Sequence, residues 1–230
     1  MKVTEKLERE ENRNKIKEMM FSKAHAKKMF GPYNKVYLIG KIEEKWEEEN
    51  NSRYSTMISI VRLSRTVDRI KIEVPRRLIN TEDFPVETLI RVAGDYKSYT
   101  NNGESFRYIR VKDIKKTEEE DYFEENNLVY LRGFICNEPY YHISEKQQKV
   151  ITAFCLAVPR RDDKKVCAAD YIYCVAWGED AERIRYCKKG QELEFFGRAQ
   201  SRYFYKGNFW NTDPVEVYEV SISASELWLL

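Results

Sequence analysis

Histidine is nearly absent from this chain: His25 and His142 are the two present in 230 residues. They leave a zinc site little to build on. The five cysteines do not supply one. Cys136, Cys155, Cys167, Cys174 and Cys187 form no C-x-x-C pair, their number is odd, and Cys155 and Cys174 fall inside apolar stretches. They read as reduced thiols of a cytoplasmic protein. No metal and no cofactor are expected. No apolar run approaches the ~18 residues of a membrane span, and the charged N-terminus lacks the apolar core of a signal peptide. A phosphate-cradling glycine loop, H-E-x-x-H, G-x-S-x-G and an EF-hand loop are all missing. Carboxylates come in runs, at Glu47–Glu49 and Glu118–Asp121, which are usually solvated faces. No enzymatic activity is expected. Excess charge is small too, with 40 basic against 38 acidic residues, so any attraction for a polyanion must come from local patches.

What the chain has is alternation and rings. In D-Y-I-Y-C-V-A-W-G from Asp170, one face of an extended strand takes Ile172, Cys174 and Ala176. The other takes Tyr171, Tyr173, Val175 and Trp177. The small apolar face suits a tightly curved barrel interior. A water-facing row should carry Lys, Thr or Glu, so a row of rings implies a second packing layer or a platform for flat ligands. In L-E-F-F-G-R-A-Q-S-R from Leu193, Leu193, Phe195, Gly197, Ala199 and Ser201 share one face, and Arg198, Gln200 and Arg202 share the other. Positive charge at period two tracks a phosphate backbone. Rings beside basic rows equip a groove for single-stranded nucleic acid.

Four segments occur in order: N-x-V-Y-L-x-G from Asn127, F-C-L-A-V-P-R from Phe154, D-Y-I-Y-C-V-A-W-G from Asp170 and G-R-A-Q-S-R from Gly197. A helix is expected between the third and fourth. Over residues 127–223 the chain thereby resembles the bacterial single-stranded DNA-binding protein family, whose fold is the OB barrel. The resemblance implies single-stranded DNA as the ligand, in replication, recombination or repair. It places Trp177 and Tyr171 where the family has base-stacking rings, and Phe204 near a third. It also implies a homodimer that would bring four barrels together, with replication or recombination proteins as further partners and no membrane. The end S-E-L-W-L-L departs from the family's acidic tail, which points to a plasmid, phage or other mobile-element role, or to a lineage with a divergent second copy. Two alternatives stay open: a primosome- or recombination-associated protein-interaction module, and an RNA-binding OB protein, since both nucleic acids offer bases and phosphates.

The chain also repeats itself. V-Y-L-I-G at Val36 returns as V-Y-L-R-G at Val129, V-D-R-I-K-I-E-V at Val67 as A-D-Y-I-Y-C-V-A at Ala169, and G-D-Y-K-S at Gly94 as G-R-A-Q-S at Gly197. A period near 100 residues repeats a whole domain. The expected fold is all-β, two tandem five-stranded OB barrels with an N-terminal helix. Residues 1–33 form a helical arm ended by Gly31-Pro32, 34–114 the first barrel, 115–126 a charged linker and 127–230 the second barrel. The arm reads as an amphipathic helix docked on its own domain, ahead of a basic arm for a partner.

The first barrel takes strands at Lys35–Ile42, Tyr54–Leu63, Arg69–Val74, Leu89–Tyr99 and Phe106–Ile114, with a helical turn at Arg76–Asn80. The second takes Leu128–Ile135, Val150–Val158, Asp170–Trp177, Leu193–Phe204 and Val215–Ser223, with a helix at Glu179–Cys187. Around Trp46 an acidic loop disfavours phosphate, so Trp46 is packed or partner-facing. Arg160 and Arg161 follow a strand directly and could clamp a backbone. Tyr203, Phe204, Tyr205, Phe209 and Trp210 make a ring-rich hairpin for stacking or for a subunit interface. Aligning Asp68 with Asp170 sets Arg69 and Lys71 opposite Tyr171 and Tyr173. The first barrel therefore offers charge where the second offers rings, with Tyr96 and Tyr99 restoring some stacking.

Overall fold

Apolar residues at period two fill the inner faces of both repeats. The computed structural model describes residues 3–21, 33–62, 64–102, 104–118, 126–144, 149–160, 168–204 and 215–229. Helix α1 spans Val3–Phe21. The first barrel is β1 (Asn34–Ile42), β2 (Glu47–Asn50), β3 (Arg53–Val61), β4 (Val67–Pro75), β5 (Leu89–Asn101) and β6 (Glu104–Lys116). The second is β7 (Asn127–Ile135), β8 (Tyr140–Ser144), β9 (Lys149–Pro159), β10 (Ala169–Trp177), β11 (Glu192–Phe204) and β12 (Val215–Leu229), with helix α2 (Glu179–Ile184) after β10. Inward residues are closed off from water: Ile70, Ile72 and Val74 in β4, and Ile172, Cys174 and Ala176 in β10. Burying such faces is the main favourable term holding each barrel.

The strands run in one sheet ordered β2-β3-β4-β6-β5-β1-β7-β11-β12-β10-β9-β8, a palindrome of the two repeats. Each half closes on itself where its first strand meets its third, Lys41 opposite Ser59 and Phe134 opposite Ala157. The closure explains the glycine that ends V-Y-L-x-G. A Cβ on Gly40 would stand 2.7 Å from the Ser59 carbonyl oxygen. One on Gly133 would meet the Ala157 carbonyl, its carbon at 3.0 Å. A methyl group does not fit where two backbones approach so closely.

The halves join through the repeated motif itself. Val36 pairs with Val129, the equivalent residue of the other copy, in antiparallel β1 and β7. A pseudo-twofold axis therefore passes through this pair. On the outer face α1 lies across the seam, burying Ile16 and Met20 against Tyr37, Ile39, Leu128, Tyr130 and Phe196. The docked helix is the expected one for residues 3–21; residues 22–32 lie outside the described residues.

Three readings change. Glu47–Asn50, in the expected acidic loop, and Tyr140–Ser144, outside the expected strands, are short strands on the open edges of β3 and β9, so each barrel carries a sixth strand and His142 sits in a strand. Glu-Glu-Glu-Asn has little intrinsic strand preference, and an unpaired sheet edge outweighs it. The second helix stops at Ile184, before the expected Cys187. The expected linker begins inside β6, which continues to Lys116, and residues 119–125 lie outside the described residues.

Candidate nucleic-acid interface

Strand β10 presents rings because its other face is spent on the core. Tyr171, Tyr173 and Trp177 are exposed by 57%, 50% and 36%, while Val175 between them is buried. The Arg107 guanidinium of β6 stands over the Tyr173 ring at 5.1 Å, a contact across the two barrels. Sequence reasoning did not single out Arg107. It lies in a predicted strand between Phe106 and Tyr108, and only tertiary packing brings Tyr173, 66 residues away in the chain, to it.

The expected basic row of β11 is partly spent inside the protein. Glu219 of β12 is 2% exposed and lies directly opposite Gln200. Gln200 Nε2 donates to it at 2.5 Å and Arg202 Nε at 3.0 Å. Gln200 is buried as a result, correcting its place on an open face, because the buried carboxylate must be satisfied by its neighbours. Arg198 and Arg202 are exposed. Phe204 ends β11, and its side chain is outside the described residues, as are Arg161 and residues 205–214 of the ring-rich hairpin. Tyr203 at its base is 57% exposed.

Arg160 bonds inward. Its guanidinium meets the Asp170 carboxylate at 2.9 Å and donates to the Ser98 carbonyl at 2.6 Å. Lys97 Nζ holds the same carboxylate at 2.9 Å.

In the first barrel the charges are answered by the acidic segment around Trp46. Arg69 pairs with Glu43 at 2.9 Å and Glu44 at 2.7 Å, Lys71 with Glu49, and Arg76 with Glu48. Hydrogen bonds from Lys71 and Ser55 hold the Glu49 carboxyl below its usual range. Burial pulls the Lys71 ammonium down, but the hydrogen bond and charge of Glu49 outweigh it and hold it above its usual value. Trp46 itself is packed, its indole N–H donating to the Phe84 carbonyl at 2.7 Å.

Tyr96 is 2% exposed and part of the core, which corrects its place among the stacking rings. It has the parity of Ile90 and Val92 and so faces inward with them, a signal the alternation already contained. Burial raises its hydroxyl pKa. Tyr99, of opposite parity, is 44% exposed and stacks on Phe106 at 5.0 Å. Further exposed rings are Tyr140, which stacks with His142 at 6.4 Å, and Tyr186.

One buried hydrophobic cluster runs through both barrels, and rings stand on the exposed face of β10. The family model described as the single-strand binding protein family matches residues 126–229, the second barrel. A single-stranded DNA-binding protein from Fusobacterium nucleatum is 35% identical over 109 residues, spanning 43% of this chain and 70% of that protein. The single-stranded DNA-binding protein of Thermus aquaticus superposes with a TM-score of 0.63 at 19% identity, covering 86% of this chain and 92% of that one. A deletion variant of it gives 0.61 at 18% identity over 86% and 94%. At those identities the Thermus likeness is one of fold, and it extends over both barrels. With the sequence match on the second barrel and the shared fold across the two, the chain belongs to the single-strand binding protein family.

Proposed function

We propose that this chain binds single-stranded DNA without catalysing a reaction on it. The observation that carries the reading is the outward row of Tyr171, Tyr173 and Trp177 on a strand whose inner face is fully buried. Every base has a π-face, so such rings hold strands with little regard to sequence. Arg198 and Arg202 on β11, which β12 separates from the row, with Arg161 and Phe204, supply phosphate and further ring contacts. The names of the relatives in Fusobacterium and Thermus support DNA as the nucleic acid. Replication, recombination or repair is the setting, in the cytoplasm. No described helix is long and apolar enough to cross a membrane. Two chains would bring four barrels together. Since α1 already covers the apolar face on the pseudo-twofold axis, they would meet on another surface.

A second reading is favoured for the first barrel alone. Arg69 and Lys71 are already paired with carboxylates, which supports a lesser part in DNA binding and a larger one in contacts with replication or recombination proteins. A gel-shift with labelled single strands, duplex DNA and RNA at two salt concentrations tests the whole. The expected order is single-stranded DNA above duplex, with affinity falling as salt rises. Equal binding to duplex, or no binding of an oligonucleotide of about thirty nucleotides at low salt, overturns it.

A further inference from the structure

Between the two barrels lies a cavity of about 360 Å³, at the small end of the roughly 300–1,000 Å³ usual for ligand sites. Its walls come from β2, β3, β4, β5 and β6 of the first barrel and from Arg160 of the second. Its chemistry is cationic. Arg53, Lys97, Arg110 and Arg160 line it against Glu49 and Glu73. Both carboxylates are committed, Glu73 to Arg53 at 3.1 Å and Glu49 to Lys71. Lys97 and Arg160 share the one carboxylate of Asp170. Arg110 donates to the Tyr108 hydroxyl at 2.9 Å, and its buried Nε has no hydrogen-bond partner among the described residues. Five cations thus meet three carboxylates, and a buried guanidinium nitrogen is left without an acceptor. That deficit calls for an anion.

Two rings complete the wall. Tyr99 is exposed by 44%, and Tyr108 lies beside it at 6.0 Å. The cavity also adjoins the ring row of the second barrel: the lining residue Ser98 accepts the Tyr171 N–H through its Oγ at 2.7 Å. It is not a by-product of the repeated fold. With Gly94 aligned on Gly197, the registers place Arg202 at the position of Tyr99, Glu219 at that of Tyr108 and Ser221 at that of Arg110. The second copy therefore puts a carboxylate where the first puts a ring, and no cation where the first has Arg110.

We propose that this cavity takes one nucleotide unit, a phosphodiester and its base, of a single strand passing from the ring row of the second barrel onto the first. The proposal rests on the single-stranded DNA reading above and adds the route between the barrels. The phosphate sits against Arg110 with Lys97 and Arg160 near it, and the base lies on Tyr99. A free mononucleotide offers the same chemistry, and the experiment separates the two.

The test uses the full chain and two oligo-dT lengths, about 8 nucleotides, within the ~4–16 that one barrel holds, and about 35, which spans both. Binding is titrated by fluorescence quenching at several salt concentrations. Arg110→Ala should weaken the long strand roughly five- to tenfold at low salt and lower its salt slope by about 0.7, the loss of one phosphate contact. It should leave the short strand unchanged, and Arg110→Lys should keep the slope. Unchanged affinity and slope for the long strand overturns the proposal, as does equal loss for both lengths. Micromolar binding of thymidine monophosphate that Arg110→Ala abolishes, with long-strand binding intact, makes the cavity a free-nucleotide site and overturns it too. Photocrosslinking of an iodouracil-substituted long strand to the unaltered chain needs no variant. Adducts on Tyr99 or Tyr108 support the route, and adducts confined to the second barrel overturn it. Failure of the unaltered chain to bind either length instead brings down the DNA reading itself.

Discussion

Asp68 and Ser201 are each other's partners across the two barrels. The Asp68 carboxylate in β4 accepts the backbone N–H of Ser201 in β11 at 3.0 Å, and Ser201 Oγ accepts the N–H of Arg69 at 2.9 Å. The equivalent pair does the same in reverse. Asp170 accepts the Ser98 N–H at 3.0 Å, and Ser98 Oγ accepts the Tyr171 N–H at 2.7 Å. Arg62 balances Asp68, with Nε at 2.6 Å, as Arg160 and Lys97 balance Asp170. Four residues of the repeat thus sew the long β5–β6 and β11–β12 hairpins to the opposite barrel.

Replacing Asp68 by Ala should therefore destabilise the whole molecule. The residue is fully buried, and the change strands the Arg62 charge and the Ser201 N–H together. Breaking a buried pair from one side costs about 3–5 kcal/mol. Urea unfolding should show a midpoint lowered accordingly. A loss under 1 kcal/mol would mean the seam does not depend on this pair.

Gly133→Val should also destabilise, by about 1–3 kcal/mol or more, since the added carbons meet the Ala157 backbone. Thermal melting followed by circular dichroism reads this. Gly190→Ala makes a contrast, because nothing lies within 4 Å of a Cβ there and the cost comes from its positive φ of 86° alone.

The ring row and the charged row should separate at high salt. Trp177→Ala should cost about 1–3 kcal/mol in oligo-dT affinity, a stacking loss that salt does not screen. Lys71→Ala should cost little there. Equal losses in the two variants would show that the first barrel shares the work of the second.

Freeing the first barrel's cations should raise affinity. In the triple variant Glu43→Gln, Glu44→Gln, Glu49→Gln, Arg69 and Lys71 lose their carboxylate partners. These are surface pairs worth about 0–1 kcal/mol each, so the fold should hold. Single-stranded DNA binding at low salt should tighten and its salt slope steepen by up to about 1.4, two phosphate contacts at ~0.7 each. No change would place this face outside the strand's path.

Lys35 gives a pH dependence. It is 4% exposed beneath α1, its Nζ 3.4 Å from the Phe21 ring centroid, and burial lowers its pKa to about 8. Between about 8 and the ordinary lysine value of 10.5 the unfolded chain holds the proton and the folded one does not. Stability should rise with pH across that window, and the penalty for burying the charge should be fully present below it. Its counterpart in the other repeat is Leu128. Lys35→Leu should stabilise the protein at pH 7 by roughly 1–2 kcal/mol and flatten the rise, measured by urea unfolding at pH 7 and 10.

Much of the fold is written locally. Alternation at Ile70, Ile72 and Val74, and at Ile172, Cys174 and Ala176, sets strand faces because successive side chains of an extended chain must point to opposite sides. The glycine of V-Y-L-x-G marks the closure, and the same chemistry written twice marks two barrels. The outward position of Tyr171, Tyr173 and Trp177 follows from the same parity, as does the inward turn of Tyr96.

Tertiary structure alone decided which outward groups remain available. Arg69 and Lys71 look open in the sequence, and it is the β2 edge strand that brings Glu49 onto Lys71 while Glu43 and Glu44 close on Arg69. Gln200 and Arg202 turn to Glu219 because that carboxylate is buried on the neighbouring strand. Arg107 meets Tyr173, and Arg110 the inter-barrel cavity, only because the hairpin β5–β6 crosses to the other barrel. Charge neutralisation and ring contacts depend on distances between groups far apart in the chain, and those distances exist only once both barrels have closed.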